Sequence, residues 1–136
     1  MKLQMTTIYA IRILCYLHLK ENQLTSAAEM SSELGIGYQY LMKVINQLRI
    51  AELVESTQGC RGGFRLARSA SDISIYDIIR AIEGDICIMP CLENDTYCVL
   101  HDSGDCTVNK IFRTLQEHMF TRLHNKNLSD LVSVAT

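Results

Sequence analysis

Twenty residues in the C-terminal half, Cys87-Ile-Met-Pro-Cys-Leu-Glu-Asn-Asp-Thr-Tyr-Cys-Val-Leu-His-Asp-Ser-Gly-Asp-Cys106, hold four of the chain's six cysteines and one of its four histidines. Thiolates are soft donors suited to iron-sulfur clusters and to zinc, and the same thiols can serve as a metal-free redox switch or form cross-links. Structural zinc sites pair their ligands at short spacings, and the only comparable pair here is Cys98-Val-Leu-His101, so spacing alone favours neither metal. A thiol or metal redox enzyme built on Cys98 and His101 is the competing class. Against it stand the lack of a Cys-x-x-Cys pair, of a phosphate loop and of a credible nucleophile-base-acid set. Between Gly84 and Cys106 the helical periodicity disappears, and the stretch carries five acidic residues and no Lys or Arg. A loop of about twenty residues inside a compact domain is uncommon without a function or an organising ligand.

The compartment narrows these options. The apolar run Ile8 to Leu19 contains Arg12 and is not followed by a small-residue cleavage site, so no signal peptide is expected. A cytoplasmic, reducing setting then favours metal binding or redox chemistry over cross-links. With 136 residues, 48% hydrophobic and 21% charged, the chain fits one globular domain with an appended arm, and no apolar run is long enough to span a membrane.

The net charge of −2 argues against a nucleic-acid partner, but its distribution reverses the argument. Residues 1–68 hold eight Lys/Arg against five Asp/Glu, whereas residues 69–136 hold five against ten. The basic excess lies within residues 36–68, where Lys43, Arg49, Arg61, Arg65 and Arg68 face only Glu52 and Glu55. A local patch of this kind can neutralise phosphates even on an acidic chain.

The elements that must carry this patch follow from periodicity. Ile8, Ile11, Cys15 and Leu19 mark a first, core helix, in which Cys15 acts as a small hydrophobe. Ser26-Ala-Ala-Glu29 reads as a capping box opening a short helix that stops at Gly35. After Ile36 and Gly37 a third helix buries Leu41, Val44, Ile45 and Leu48 and turns Gln39, Met42, Lys43, Asn46 and Arg49 outward. Two helices joined by a glycine-containing turn, the second with polar and cationic residues outward, form the pattern of a helix-turn-helix. Strand-like runs from Leu53 to Thr57 and from Gly63 to Arg68, joined by Gln58-Gly-Cys-Arg-Gly62, read as a wing whose Arg61 and Arg65 reach toward phosphates. Cys60 falls on that wing as a surface residue. Ser74 to Asp77 caps a helix of Ile75, Ile78, Ile79 and Ile82 that ends at Gly84. Beyond the cysteine stretch, Val108, Ile111, Phe112, Leu115, Met119 and Leu123 make an apolar seam suited to dimerisation. His18, His118 and His124 have no partners at metal spacing and are read as helix-surface or interface residues.

In order and spacing the opening Met-Lys-Leu, Tyr9-Ala-Ile-Arg12, Gly35-Ile-Gly-Tyr-Gln-Tyr-Leu41, Leu53-Val-Glu55, Gly62-Gly-Phe-Arg-Leu-Ala67, Ile73-Ser-Ile-Tyr-Asp77 and Asn127-Leu-Ser-Asp-Leu-Val132 resemble the Rrf-two family of bacterial winged-helix transcription regulators. The resemblance covers nearly the whole chain. It implies a mostly α fold with a small β-hairpin: a winged helix-turn-helix over residues 1–84 with its wing at about 53–68, a cluster-binding loop over 85–106, and a dimerisation helix with a tail over 107–136. Family members that carry an iron-sulfur cluster hold it with three cysteines before the last long helix, and Cys91, Cys98 and Cys106 occupy those places. The intervals, slightly longer than usual, leave 2Fe-2S and 4Fe-4S both open, with zinc as the alternative metal. The family's usual fourth-ligand positions are filled here by Asn109, Ile8 and Arg12, which leaves Cys87, His101 or a small external molecule for that place. A double-stranded operator would be contacted by Gly37, Tyr38, Gln39, Tyr40, Met42, Lys43 and Arg49, and by Gln58, Arg61 and Arg65 on the wing. Met42 and Gln58 replace a polar residue and an arginine common in the family. The expected assembly is a homodimer joined through Ile111, Phe112, Leu115, Met119 and Leu123. The expected activity is regulation by redox state, nitric oxide or iron, acting as a repressor; control by a partner protein, zinc or thiol oxidation is the cluster-free alternative.

Overall fold

A computed structural model describes residues 2–93 and 106–134. Helix α1, Met5–Leu19, buries Thr7, Ala10, Ile13, Leu14 and Leu17, recurring at spacings of three and four along one side. Helix α2, Ala27–Leu34, is capped by Ser26, whose hydroxyl accepts from the Glu29 amide at 3.1 Å. Only that half of the expected capping box forms: the Glu29 carboxylate turns instead to Lys20 Nζ, 3.1 Å away. Gly35 ends α2 in the left-handed region at φ 66°, a conformation that a Cβ disfavours. Helix α3, Tyr38–Ile50, follows after Ile36 and Gly37.

The core is assembled around α3. Leu41, Val44, Ile45 and Leu48 are completely buried against α1, α2 and α4 (Ile75–Glu83), where Ile78 and Ile82 close the opposite wall. Truncating any one of these core leucines to alanine costs about 2–5 kcal/mol, enough to threaten a marginally stable domain. Strands β1, Val54–Thr57, and β2, Gly63–Leu66, pair antiparallel with Glu55 opposite Arg65 and Ser56 opposite Phe64. The wing is fixed to the helical body by Thr25, which exchanges two backbone hydrogen bonds with Phe64, at 2.9 and 2.8 Å. A short 3-10 turn, Ala70–Asp72, leads into α4, whose capping box is complete: Ser74 Oγ accepts from the Asp77 amide and the Asp77 carboxylate accepts from the Ser74 amide, both at 3.0 Å.

Two elements lie in segments that carried no clear periodicity: a single helical turn α5, Pro90–Glu93, in the cysteine stretch, and α7, Leu128–Val134, at the C-terminus. Between them runs α6, Thr107–His124, which buries none of its residues completely. It is secured mainly at its C-terminal end. There Tyr76 stacks on His124 with ring centroids 4.0 Å apart and meets the edge of Phe120 at 5.2 Å. The Ile75 amide also donates to the Lys126 carbonyl and the Leu128 amide to the Ile73 carbonyl, each at 2.8 Å. Leu128 then plugs into the core with α1 and the 3-10 turn.

The wing attachment gives a direct test. A Cβ at Gly63 would lie 2.7 Å from the Thr25 carbonyl oxygen, so the backbone itself would have to move. Gly63→Ala is expected to lower stability by about 1–3 kcal/mol, the range for local backbone strain, measured as a reduced urea midpoint.

Candidate DNA-reading face and cysteine loop

Burying one stripe of α3 fixes what the other presents. Tyr38, Gln39, Lys43, Asn46, Arg49 and Ile50 are exposed, so polar and cationic groups lie along the outward side of the helix. Gly37 provides no side-chain cap, and the first-turn amides of this 13-residue helix remain directed outward, an arrangement that favours a phosphate. Tyr40 and Met42 are placed differently from their neighbours. Both are half-buried against the core, with Tyr40 edge-on to Tyr9 at 5.5 Å and its hydroxyl hydrogen-bonded to the Thr6 hydroxyl.

The cations of the patch are not equivalent either. Arg65 pairs with Glu55 directly across the wing, and Arg68 lies 3.9 Å from the Asp77 carboxylate. Arg49 donates weakly to Asn46 at 3.4 Å. Lys43 and Arg61 have no carboxylate partner among the described residues, and Arg61 stands exposed at the hairpin tip with Gln58 and Cys60. Such unpaired cations lose no existing ion pair on meeting a phosphate, which makes them the leading candidates for the electrostatic attraction.

In the cysteine stretch, Cys98 and His101 lie outside the described residues. Cys91 sits in α5 and Cys106 is the N-cap residue of α6. The Asn109 side-chain amide donates to the Cys91 carbonyl at 3.2 Å, so α5 is held at the first turn of α6, and Gln116, midway along α6, accepts at 2.9 Å from the amide of Ile88, just before α5. Two soft donors are thereby brought to one end of the helix whose positive dipole end favours an anionic group. Cys87 is held in another way: its thiol donates to the Met89 carbonyl at 2.9 Å. Among the described residues no three His, Cys, Asp or Glu converge into a metal site, and the third expected donor is Cys98. Cys15 is half-buried on the core side of α1, and burial pushes its thiol pKa up, in keeping with an inert packing role.

The apolar seam of α6 divides in two. Val108, Ile111, Phe112 and Leu115 are 51%, 54%, 40% and 51% exposed, whereas Met119 and Leu123 are half-buried and line a cleft with Leu3 and Ile79. The first half faces away from its own chain and the second packs on it. Leu3, Met5 and Ile8 add further exposed apolar groups at the start of the chain.

Sequence reasoning assigned Glu83 no role, although the residue stands in the Ile73 to Gly84 run that resembles the family. At the end of α4, its carboxylate accepts from the Gln4 backbone amide at 2.7 Å, from the Gln4 side chain at 3.0 Å and from the Thr7 hydroxyl at 2.7 Å. Gln4, the N-cap of α1, makes no side-chain cap of its own, and a carboxylate 79 positions away instead satisfies the Gln4 amide. No local pattern signals such a partnership.

Helix-turn-helix, wing and outward cationic helix face together define a winged-helix DNA-binding regulator. The chain belongs to the Rrf2 family, described as an iron-dependent transcriptional regulator, whose profile matches residues 3–134. It is 34% identical over 134 residues to the HTH-type transcriptional regulator NsrR of Oceanobacillus iheyensis, covering 97% of this chain and 90% of that protein. It is 32% identical to the protein aau3 of Rhizobium meliloti over 97% of this chain and 85% of that protein. Among solved structures, CymR, the global cysteine regulator of B. subtilis, matches with a TM-score of 0.80 at 25% identity over 98% of both chains. IscR of T. potens shares the fold, with a TM-score of 0.75 at 23% identity over 100% of this chain and 89% of its own. The chain is thus a transcription regulator and not an enzyme. No described helix is long and apolar enough to cross a membrane.

Two outcomes follow from this geometry. Lys43→Ala is expected to weaken binding to duplex DNA and to reduce the salt slope of log K by about one, whereas Arg65→Ala, already paired with Glu55, should change that slope less; fluorescence anisotropy across a salt series checks both. Glu83 is held below the ordinary carboxylate range first by the Thr7 hydroxyl and then by the Gln4 amides. A group with a lowered folded value stabilises fully above its ordinary value, here 4.5, and loses that contribution as pH falls through the folded one. Glu83→Gln should therefore cost about 1 kcal/mol at neutral pH, as the loss of a helix cap does, and should flatten the acid limb of the thermal midpoint against pH.

Proposed function

We propose that this protein is a cytoplasmic homodimeric repressor that reads a two-fold operator with α3 in the major groove and the wing beside it, under the control of an iron-sulfur cluster on Cys91, Cys98 and Cys106. The observation that carries the cluster is the Asn109 to Cys91 hydrogen bond, which gathers Cys91 and Cys106 at the N-terminal end of α6. The donors are thiols, the type that suits such a cluster, and the family resemblance puts the third at Cys98. When bound, the cluster supplies a centre sensitive to redox state and to small diatomic ligands. The protein side of the switch is mechanical: α5 is held at the first turn of α6, and the exposed half of α6 follows directly along that helix.

That exposed half, Val108 to Leu115, is the surface we assign to the partner subunit, with Met119 and Leu123 supporting it from their own chain. Two recognition helices in a two-fold dimer meet half-sites about one helical turn apart, so a change in the placement of the two α6 helices alters the spacing the protein accepts. The fourth cluster position is left to an exogenous ligand. Asn109 spends its amide on the Cys91 carbonyl, and the Cys87 thiol on Met89. That same occupancy favours the second reading, a cluster-free regulator that responds through its thiols or a partner protein.

Anaerobic purification with iron, sulfide and zinc analysis separates the two. A brown protein with iron and sulfide, colourless in Cys98→Ala and still brown in Cys87→Ala and His101→Ala, is the expected result. Loss of colour in either of the latter variants would establish a closed four-ligand site, and a colourless wild type would establish the cluster-free regulator. Independently, Phe112→Asp with Leu115→Asp should shift the protein from dimer to monomer in sedimentation and weaken operator binding more than tenfold.

A further inference from the structure

We infer that Glu83 is a positioning residue for DNA reading, locking the recognition helix through α1. This rests on the assignment of α3 as the DNA-reading helix and needs no cluster.

Two hydrogen-bonded steps join the end of α4 to the start of α3. In the first, the Glu83 carboxylate closes the N-terminus of α1 by accepting from Gln4 twice and from Thr7. Thr7 is completely buried, so its hydroxyl has no water to exchange for that carboxylate. In the second, Thr6, adjacent to Thr7, shares a hydrogen bond with the Tyr40 hydroxyl, and Tyr9 one turn later holds the Tyr40 ring edge-on. Tyr40 lies in the first turn of α3, flanked by exposed Gln39 and, one turn on, Lys43. The rotation of that first turn is therefore set by α1, and the N-terminal end of α1 is set by Glu83.

The location of Glu83 gives this connection a use. It is the last residue of α4, and Gly84, at φ 81°, turns the chain directly into the segment that carries the cysteines. A displacement of that segment acts first on Glu83. Losing the carboxylate's grip releases Gln4 and Thr7, and with them the α1 end that holds Tyr40. Sequence-independent phosphate attraction rests largely on charge, on Lys43 and Arg61, and changes little with such a rotation, whereas base reading by the first turn of α3 depends on it.

The test uses the full-length protein and two probes: a duplex selected by the wild type from a random library, and a scrambled duplex of equal length. Glu83→Gln, Thr6→Val and Tyr40→Phe are each expected to lower the ratio of selected to scrambled affinity by roughly 5- to 20-fold, within the usual range of coupling between sites. Scrambled-duplex affinity and secondary structure by circular dichroism should stay as in the wild type. Thr6→Ser, which keeps the hydroxyl, should restore the ratio. Combining Glu83→Gln with Tyr40→Phe should cost no more than the worse single change, because both cut one chain of contacts. A wild type with no preference between the duplexes would overturn the DNA-reading assignment and this inference with it. A wild type with a clear preference, together with variants that keep it, that lose both affinities in parallel or that add independently, would overturn the inference alone.

Discussion

The burial of one stripe of α3 is the constraint on which the rest depends. Leu41, Val44, Ile45 and Leu48 are inaccessible to solvent, so the body of the helix is held in one rotation, with Tyr40 holding its first turn. That rotation places Gln39, Lys43, Asn46 and Arg49 outward together. The wing can then lie beside α3 because Thr25, in the connection before α2, pairs with Phe64 and prevents the hairpin from swinging. A DNA-reading surface thus emerges from apolar packing and two backbone hydrogen bonds, with charge added only afterwards. Of that charge, Lys43 and Arg61 are free to meet phosphate, and Arg65 is already neutralised across the strand pair.

The helical body was legible because its signals are local. The Ser74 and Asp77 box, the glycine stop at Gly35 and the three-and-four spacing of the α3 core residues each act within one or two turns, and the structure reproduces their elements. Where a local signal met a competing partner it was only half right: Glu29 left the Ser26 box for Lys20. The seam of α6 likewise read as one stripe, yet Met119 and Leu123 turn toward Leu3 and Ile79 while Val108 to Leu115 do not. Periodicity identifies an apolar face but not which neighbour covers it. Tyr40 and Met42 carry a related lesson: both were expected on the DNA-reading face, and both are also half-buried against the core.

Glu83 was invisible for a physical reason. A capping residue normally stands beside the helix it caps, whereas here the first turn of α1 is closed from the end of α4. The same long-range closure joins the two halves of the molecule. The end of α4 and the start of α6 flank the cysteine segment, while the Tyr76, Phe120 and His124 rings join the opposite ends of the same two helices, the start of α4 and the end of α6. Asn109 stitches α5 to the first turn of α6, and Gln116, farther along α6, holds the Ile88 amide just before α5. On the proposed reading, a rearrangement among the cysteines has two routes outward, along α6 to the exposed apolar surface and through Glu83 to the reading helix.

Control of DNA affinity by the cysteine segment is the central claim. It is tested most directly by titrating one anaerobic preparation against the selected duplex, before and after the cluster is removed with chelator, at constant salt. A change of about tenfold or more in Kd, equivalent to about 1.4 kcal/mol, with affinity for a scrambled duplex unchanged, is the predicted result. Equal affinities for the selected duplex before and after removal would contradict it.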